Sequence, residues 1–170
     1  MTVRPRVLAV DDRRENLLAL QAILEGLAVE VVSVTSGEDA LKRLLTEDYA
    51  VILLDAHMPG MDGFETAGHI KQRERTRHIP VLFLTAVDYD PHLAFRGYQA
   101  GAVDYITKPF DPWVLRSKVS VFVDLWSVHA QLAEQAAECE RLRVAIDEAV
   151  EQLEEGAVEA ARDRLKAARA

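Results

Sequence analysis

The sequence predicts an α/β protein: a doubly wound, five-stranded parallel sheet covered by helices, whose last helix runs on as a coiled-coil extension. Three observations carry that expectation. Apolar segments rich in β-branched residues recur five times, at 7–10, 29–34, 49–54, 81–85 and 102–107. Each is followed by a stretch with helical spacing, so strand and helix alternate. The strands also lack strict alternation of apolar and polar residues, which fits burial on both faces and hence parallel pairing.

The helical stretches follow in order. Leu17, Leu18, Gln21, Ile23 and Leu24 repeat at helical spacing after the first strand, and Ala40, Leu41, Leu44 and Leu45 after the second. Phe64, Ala67 and Ile70 follow the third strand, and Leu93, Phe95 and Tyr98 the fourth. Ser36, with Asp39 three residues on, is placed to cap one helix, and Asp90–Pro91 to open another. Asp111 and Pro112 repeat that cap-and-proline signal, and no breaker follows before Gly156. A helix from Pro112 to Glu155 extends roughly 65 Å at 1.5 Å per residue. A compact α/β domain cannot bury all of it, so a division into residues 1–123 and 124–170 is expected.

Read in heptads, the extension places Leu125, Leu132, Cys139, Ile146 and Leu153 at one seam position. Val128, Gln135, Leu142 and Ala149 occupy the other, with Gln135 its one polar member. Charged residues such as Glu134, Glu138, Arg141, Arg143 and Asp147 fill the remaining positions. Four heptads with large aliphatics on one stripe favour a homodimer over a solitary solvated helix, its strands either parallel or antiparallel. After Gly156 the stripe shifts to Val158, Ala161, Leu165 and Ala168, so the chain either turns back there or continues past a stutter.

Bulk composition narrows the function. The chain has 170 residues, 49% hydrophobic and 28% charged, enough for one ordinary domain and an appendage. A formal net charge of -8 disfavours DNA, RNA and anionic lipid, which attract clustered cationic side chains. No apolar run spans a bilayer, and residues 1–6 lead straight into a strand, so a cytoplasmic protein without secretory signal or membrane contact is expected. The single cysteine, Cys139, rules out an intrachain disulfide or a cysteine-built zinc site.

Chemistry concentrates where strands end. Asp11 and Asp12 close the first strand, Asp55 the third, Thr85 the fourth and Lys108 the fifth. Taken singly, each acid also suits turn or capping chemistry. Jointly they point to a site, because the crevice beyond the carboxyl ends of parallel strands is where ligands bind. Three acids there call for a divalent cation such as magnesium (or manganese), which takes a few carboxylates plus water and phosphate oxygens. A lysine and a hydroxyl remain for a small anion, the combination expected for phosphoryl transfer onto Asp55. The Lys108–Pro109 step restricts the backbone and can be cis. Pro59 and Gly63, in the loop after Asp55, read as turn geometry.

Four segments together carry a specific resemblance: Val7 to Asp12; Ile52-Leu53-Leu54-Asp55-Ala56-His57-Met58-Pro59-Gly60-Met61-Asp62-Gly63; Phe83-Leu84-Thr85-Ala86; and Asp104-Tyr105-Ile106-Thr107-Lys108-Pro109-Phe110. Over about residues 6–123 the chain resembles the response-regulator receiver domains of two-component signalling. The resemblance implies a flavodoxin-like sheet in the order 2-1-3-4-5. It also implies Asp55 as phosphoacceptor and Asp12 as the more direct magnesium ligand, with Asp11 partly through water and the main-chain carbonyl of His57 as a third protein ligand. The His57 side chain either tunes hydrolysis or is a spectator. Thr85 and Tyr105 are the implied switch pair, with a plain core aromatic as the alternative for Tyr105.

A sensor histidine kinase is the implied phosphoryl donor, and self-phosphorylation and dephosphorylation the only catalysis expected. With fewer than fifty residues beyond the receiver, output through protein contacts of the tail to a downstream partner is expected. A phosphorelay carrier, or the regulatory part of a larger output enzyme, are the alternatives.

Overall fold

In the computed structural model, residues 4–86, 95, 99 and 101–167 are described. The five strands are β1 (Arg6–Val10), β2 (Glu30–Val34), β3 (Val51–Asp55), β4 (Val81–Thr85) and β5 (Asp104–Thr107). The helices are α1 (Arg14–Leu24), α2 (Gly37–Arg43), α3 (Gly63–Gln72) and a long α4 (Pro112–Ala167). All strand pairs are parallel, in the order β2-β1-β3-β4-β5. The helical pattern expected around Leu93 and Tyr98, with its Asp90–Pro91 start, lies outside the described residues; Phe95 itself is helical.

Alternate residues of the central strands serve opposite faces. Leu8, Val10, Ile52, Leu54, Val81 and Phe83 pack with α2 and α3 through Ala40, Leu44, Phe64, Ala67 and Ile70. Their neighbours Val7, Ala9, Val51, Leu53, Leu82 and Leu84 meet α1 and α4 through Leu17, Leu20, Leu24, Leu115 and Val119. With apolar partners on both sides, these strands have no polar face to alternate. Within the helical patterns Leu18, Gln21, Leu45 and Phe95 are exposed. On α1 it is Leu20 that turns inward, three residues from Leu17 and four from Leu24, which is the spacing of a single helix face.

Local capping chemistry sets the helix starts. The Ser36 hydroxyl accepts from the Asp39 N–H at 3.1 Å, and Asp111 Oδ1 accepts from the N–H groups of Trp113 and Val114 at 2.8 and 3.0 Å. Asp62 does the same for α3, accepting from Glu65 N–H at 2.8 Å. α4 continues through Gly156 without a turn, so the alternative of a chain reversal there is set aside. A glycine in a helix interior costs about 1 kcal/mol, which a long helix absorbs.

Contacts divide the chain into two units, residues 1–127 and 128–170. In the second, the large seam residues are exposed, among them Leu132 (57%), Ile146 (62%) and Leu153 (73%). Among the described residues no helix is long and apolar enough to cross a membrane.

Gly63 is more than a turn residue. A Cβ there would lie 2.1 Å from the Asp55 carbonyl oxygen and 2.9 Å from Ala56 Cα, so the missing side chain lets α3 start directly against the end of β3. Gly63→Ala is expected to cost about 2–4 kcal/mol in urea denaturation, because backbone atoms on both sides must shift. Gly68→Ala, on the same helix with nothing within 4 Å, is expected to gain about 0.5–1 kcal/mol from helix propensity.

Candidate functional site

Strand pairing brings the acids together. β1 lies beside β3 with Val10 opposite Leu54, so the residues that follow, Asp11 and Asp55, are neighbours at the carboxyl edge. Carboxylate oxygens of Asp11, Asp12 and Asp55 all lie within 4.8 Å of one another. Asp11 is fully buried and Asp55 nearly so, whereas Asp12 is exposed.

Lys108 holds the buried pair. Its Nζ lies 2.6 Å from Asp11 Oδ2 and 3.3 Å from Asp55 Oδ1, so it bridges both acids and sits closer to Asp11 than to Asp55. The Lys108 main-chain N–H donates to the Thr85 carbonyl at 2.7 Å, which ties the end of β5 to the end of β4. The Lys108–Pro109 peptide bond is cis.

Asp11 is also gripped from α1. Asn16 Nδ2 donates to both of its oxygens, at 2.9 and 3.0 Å, and the Arg13 N–H donates to Oδ1 at 3.0 Å. With Lys108 this fills the roughly four acceptor sites of an ionised carboxylate. Sequence reasoning missed Asn16, which reads as one more polar residue in a first helical turn. Its position five residues after a strand-end acid is the one available signal.

Asp55 accepts the His57 N–H, at 3.3 Å, besides its contact with Lys108. Burial is the main cause that raises its carboxyl above the ordinary value; the Lys108 charge opposes this and the Asp11 charge adds to it. A desolvated carboxylate beside a second negative charge is a group that gains from an added cation.

The remaining expected residues lie around this centre. Thr85, buried, ends β4, and its neighbour Ala86 is exposed. Tyr105 lies opposite Phe83 in the sheet, half-buried, its ring stacked on Phe83 with centroids 5.8 Å apart. Phe64 also packs on Phe83, with centroids 4.8 Å apart, so α3, β4 and β5 share one aromatic cluster. The His57 side chain is exposed and meets the Phe64 ring edge-on at 6.4 Å. The seam residues Leu125, Val128, Cys139, Leu142, Ala149 and their companions are exposed along α4.

The acids fit a small divalent cation. An octahedral magnesium ion about 2.1 Å from its ligands spaces their oxygens about 3 to 4.2 Å apart, close to the span of the three carboxylates. Oxygen donors alone also suit magnesium or manganese over softer metals.

A parallel sheet in the order 2-1-3-4-5, carrying an acid cluster and a lysine at its carboxyl edge, defines a flavodoxin-like α/β protein of the receiver class. Residues 7–120 match the response regulator receiver domain, and the chain belongs to that family.

Its relatives include the response regulator PleD of Caulobacter vibrioides, 36% identical over 139 residues, which cover 82% of this chain and 30% of that protein. The alkaline phosphatase synthesis transcriptional regulatory protein PhoP of Bacillus subtilis is 36% identical over 120 residues, 69% of this chain and 48% of PhoP. This chain thus spans less than half the length of these curated relatives. Among solved structures, a putative response regulator from Chloroflexus aurantiacus superposes with a TM-score of 0.67 at 32% identity, covering 72% of this chain and 99% of its own. The chemotaxis protein CheY4 of Vibrio cholerae gives 0.67 at 28% identity, over 71% and 99%.

The raised Asp55 carboxyl has a stability consequence whose sign is fixed. In metal-free solution the folded state binds this proton more tightly than the unfolded state, so ionising Asp55 opposes folding as pH rises through its raised value. Urea denaturation of wild type and Asp55→Asn in chelator is expected to show the variant's relative stability growing from the ordinary carboxylate range upward, then levelling. Saturating magnesium is expected to stabilise wild type, by about 2.7 kcal/mol at a hundredfold excess over its dissociation constant.

Proposed function

We infer that this chain is the phosphoryl-accepting component of a two-component system, modified on Asp55 by a sensor histidine kinase and signalling through protein contacts of its tail. The observation that carries this is the buried Asp55 carboxylate, with two more acids and one ammonium against it at the sheet's carboxyl edge.

An Asp55 oxygen is the nucleophile. A P–O bond to it forms as the P–N bond of the donor phosphohistidine breaks, and the imidazole, protonated on its other nitrogen, leaves neutral. Asp11, Asp12, Asp55 and the main-chain carbonyl of His57 would hold a magnesium (or manganese) ion, whose positive charge would offset that of the phosphoryl oxygens. Asp12 would be the more direct carboxylate ligand, because the Asp11 oxygens already accept from Asn16, the Arg13 N–H and Lys108. Lys108 turns its ammonium from the two acids toward a phosphoryl oxygen, a small movement given that it already bridges them.

The new group adds up to two negative charges and three acceptor oxygens at Asp55. The Thr85 hydroxyl bonds one of these, and the half-buried Tyr105 ring, stacked on Phe83, moves with it. Output passes through protein contacts, including a homodimer through the tail, to a downstream protein. The chain catalyses only its own phosphorylation and dephosphorylation, and the acidic charge balance argues against direct DNA binding.

Incubation with acetyl phosphate and magnesium is expected to add one phosphoryl group to the intact mass. Asp55→Asn should take up none, and chelation of the metal should suppress uptake by wild type. A folded wild-type protein that stays unmodified under these conditions contradicts the reading.

A further inference from the structure

We propose that the outer half of α4 pairs with a second copy of this chain as a parallel, in-register coiled coil, fixed by Gln135 and by Glu138 facing Arg143 of the other copy. This rests on the proposed function above and deepens it by naming the tail's partner and the orientation of the pair.

Exposure on the helix calls for an apolar partner. Leu132, Leu142, Ile146 and Leu153 are 54–73% exposed although they fall on one stripe at heptad spacing. Helices draw most of their stability from packing an apolar face, and the described residues of this unit form one helix. A second copy supplies the same stripe and the same length.

Two features choose the orientation. In a parallel pair each seam position meets its own equivalent, so Gln135 meets Gln135, and each amide donates to the other's carbonyl. In an antiparallel pair the seam position of Gln135 always faces the other one, which holds Leu125, Leu132, Cys139, Ile146 and Leu153. Every antiparallel register therefore leaves the Gln135 amide against an apolar or thiol side chain, unable to satisfy its donors and acceptor.

Charge gives the same answer. The residue before a Cys139-type position flanks the seam and faces, in a parallel partner, the residue five further along. Glu138 then faces Arg143, twice by symmetry. The flanking pairs before Leu132, Ile146 and Leu153, namely Gln131 with Ala136, Ala145 with Val150 and Gln152 with Ala157, carry no charge and set up no repulsion. Within the helix, Glu138 contacts Arg141 and Arg143 contacts Glu140, through exposed side chains free to swing.

Three measurements on the full chain test this. Sedimentation should give twice the 19.0 kDa chain mass, and Leu132→Glu with Ile146→Glu should give monomers; a wild-type monomer or trimer, or a dimeric variant, overturns the proposal. Copper phenanthroline should link Cys139 to Cys139, since the pairing places them opposite; a dimer that resists the link is not parallel and in register. The exposed charges provide a test that spares the core. Glu138→Arg and Arg143→Glu should each weaken self-association about tenfold, while a one-to-one mixture forms a heterodimer in preference to either homodimer. Statistical mixing overturns the pairing. Phosphoryl uptake from acetyl phosphate, read on the same samples, keeps the two readings separate: failed uptake with the dimer intact removes the proposed function, and the reverse removes only the coiled coil.

Discussion

One half-buried ammonium holds the site together. Lys108 stands 2.6 Å from Asp11 and 3.3 Å from Asp55, two acids with almost no access to water. Without a cation between them, two carboxylates at that depth would repel each other and lose hydration with nothing in return. With one cation for two buried acids and an exposed third, the cluster remains short of positive charge. That shortage makes the edge receptive to a divalent ion. On the proposed reading, a bound ion would in turn make the same edge receptive to an anionic phosphoryl group.

The fold produces this arrangement by strand order. Because β1 and β3 are neighbours, acids at their ends meet although 43 residues separate Asp12 from Asp55 in the chain. β4 and β5 then bring Thr85 and Lys108 to the same edge. Gly63 keeps α3 against the end of β3, and the cluster of Phe64, Phe83 and Tyr105 carries the packing from there across to β5. An event at Asp55 thus bears on a continuous set of packed groups rather than on an isolated loop.

Much of this was legible in the residues. The five strands followed from runs of β-branched residues, and two helix starts from the Ser36 and Asp111 caps, because those signals are local. The Asp62 cap went unseen because Pro59 and Gly63 on either side of it read as a turn. Leu18 and Leu45 fall in the helical patterns yet are exposed, because single-sequence periodicity does not say which of two adjacent leucines faces the sheet. Asn16 and the close approach at Gly63 were missed for a different reason: both depend on where another segment's atoms lie. The share of Lys108 between Asp11 and Asp55 is likewise a distance, invisible to spacing. Gly156, open to two readings in the sequence, lies within one continuous helix because no tertiary contact there demands a turn.

The most direct test locates the modification. After treatment with acetyl phosphate and magnesium, borohydride reduction converts an acyl phosphate to the alcohol, and peptide fragmentation reads its position. The account predicts homoserine at position 55 and nowhere else. Reduction at position 11 or 12, or at no position in folded protein, would contradict it.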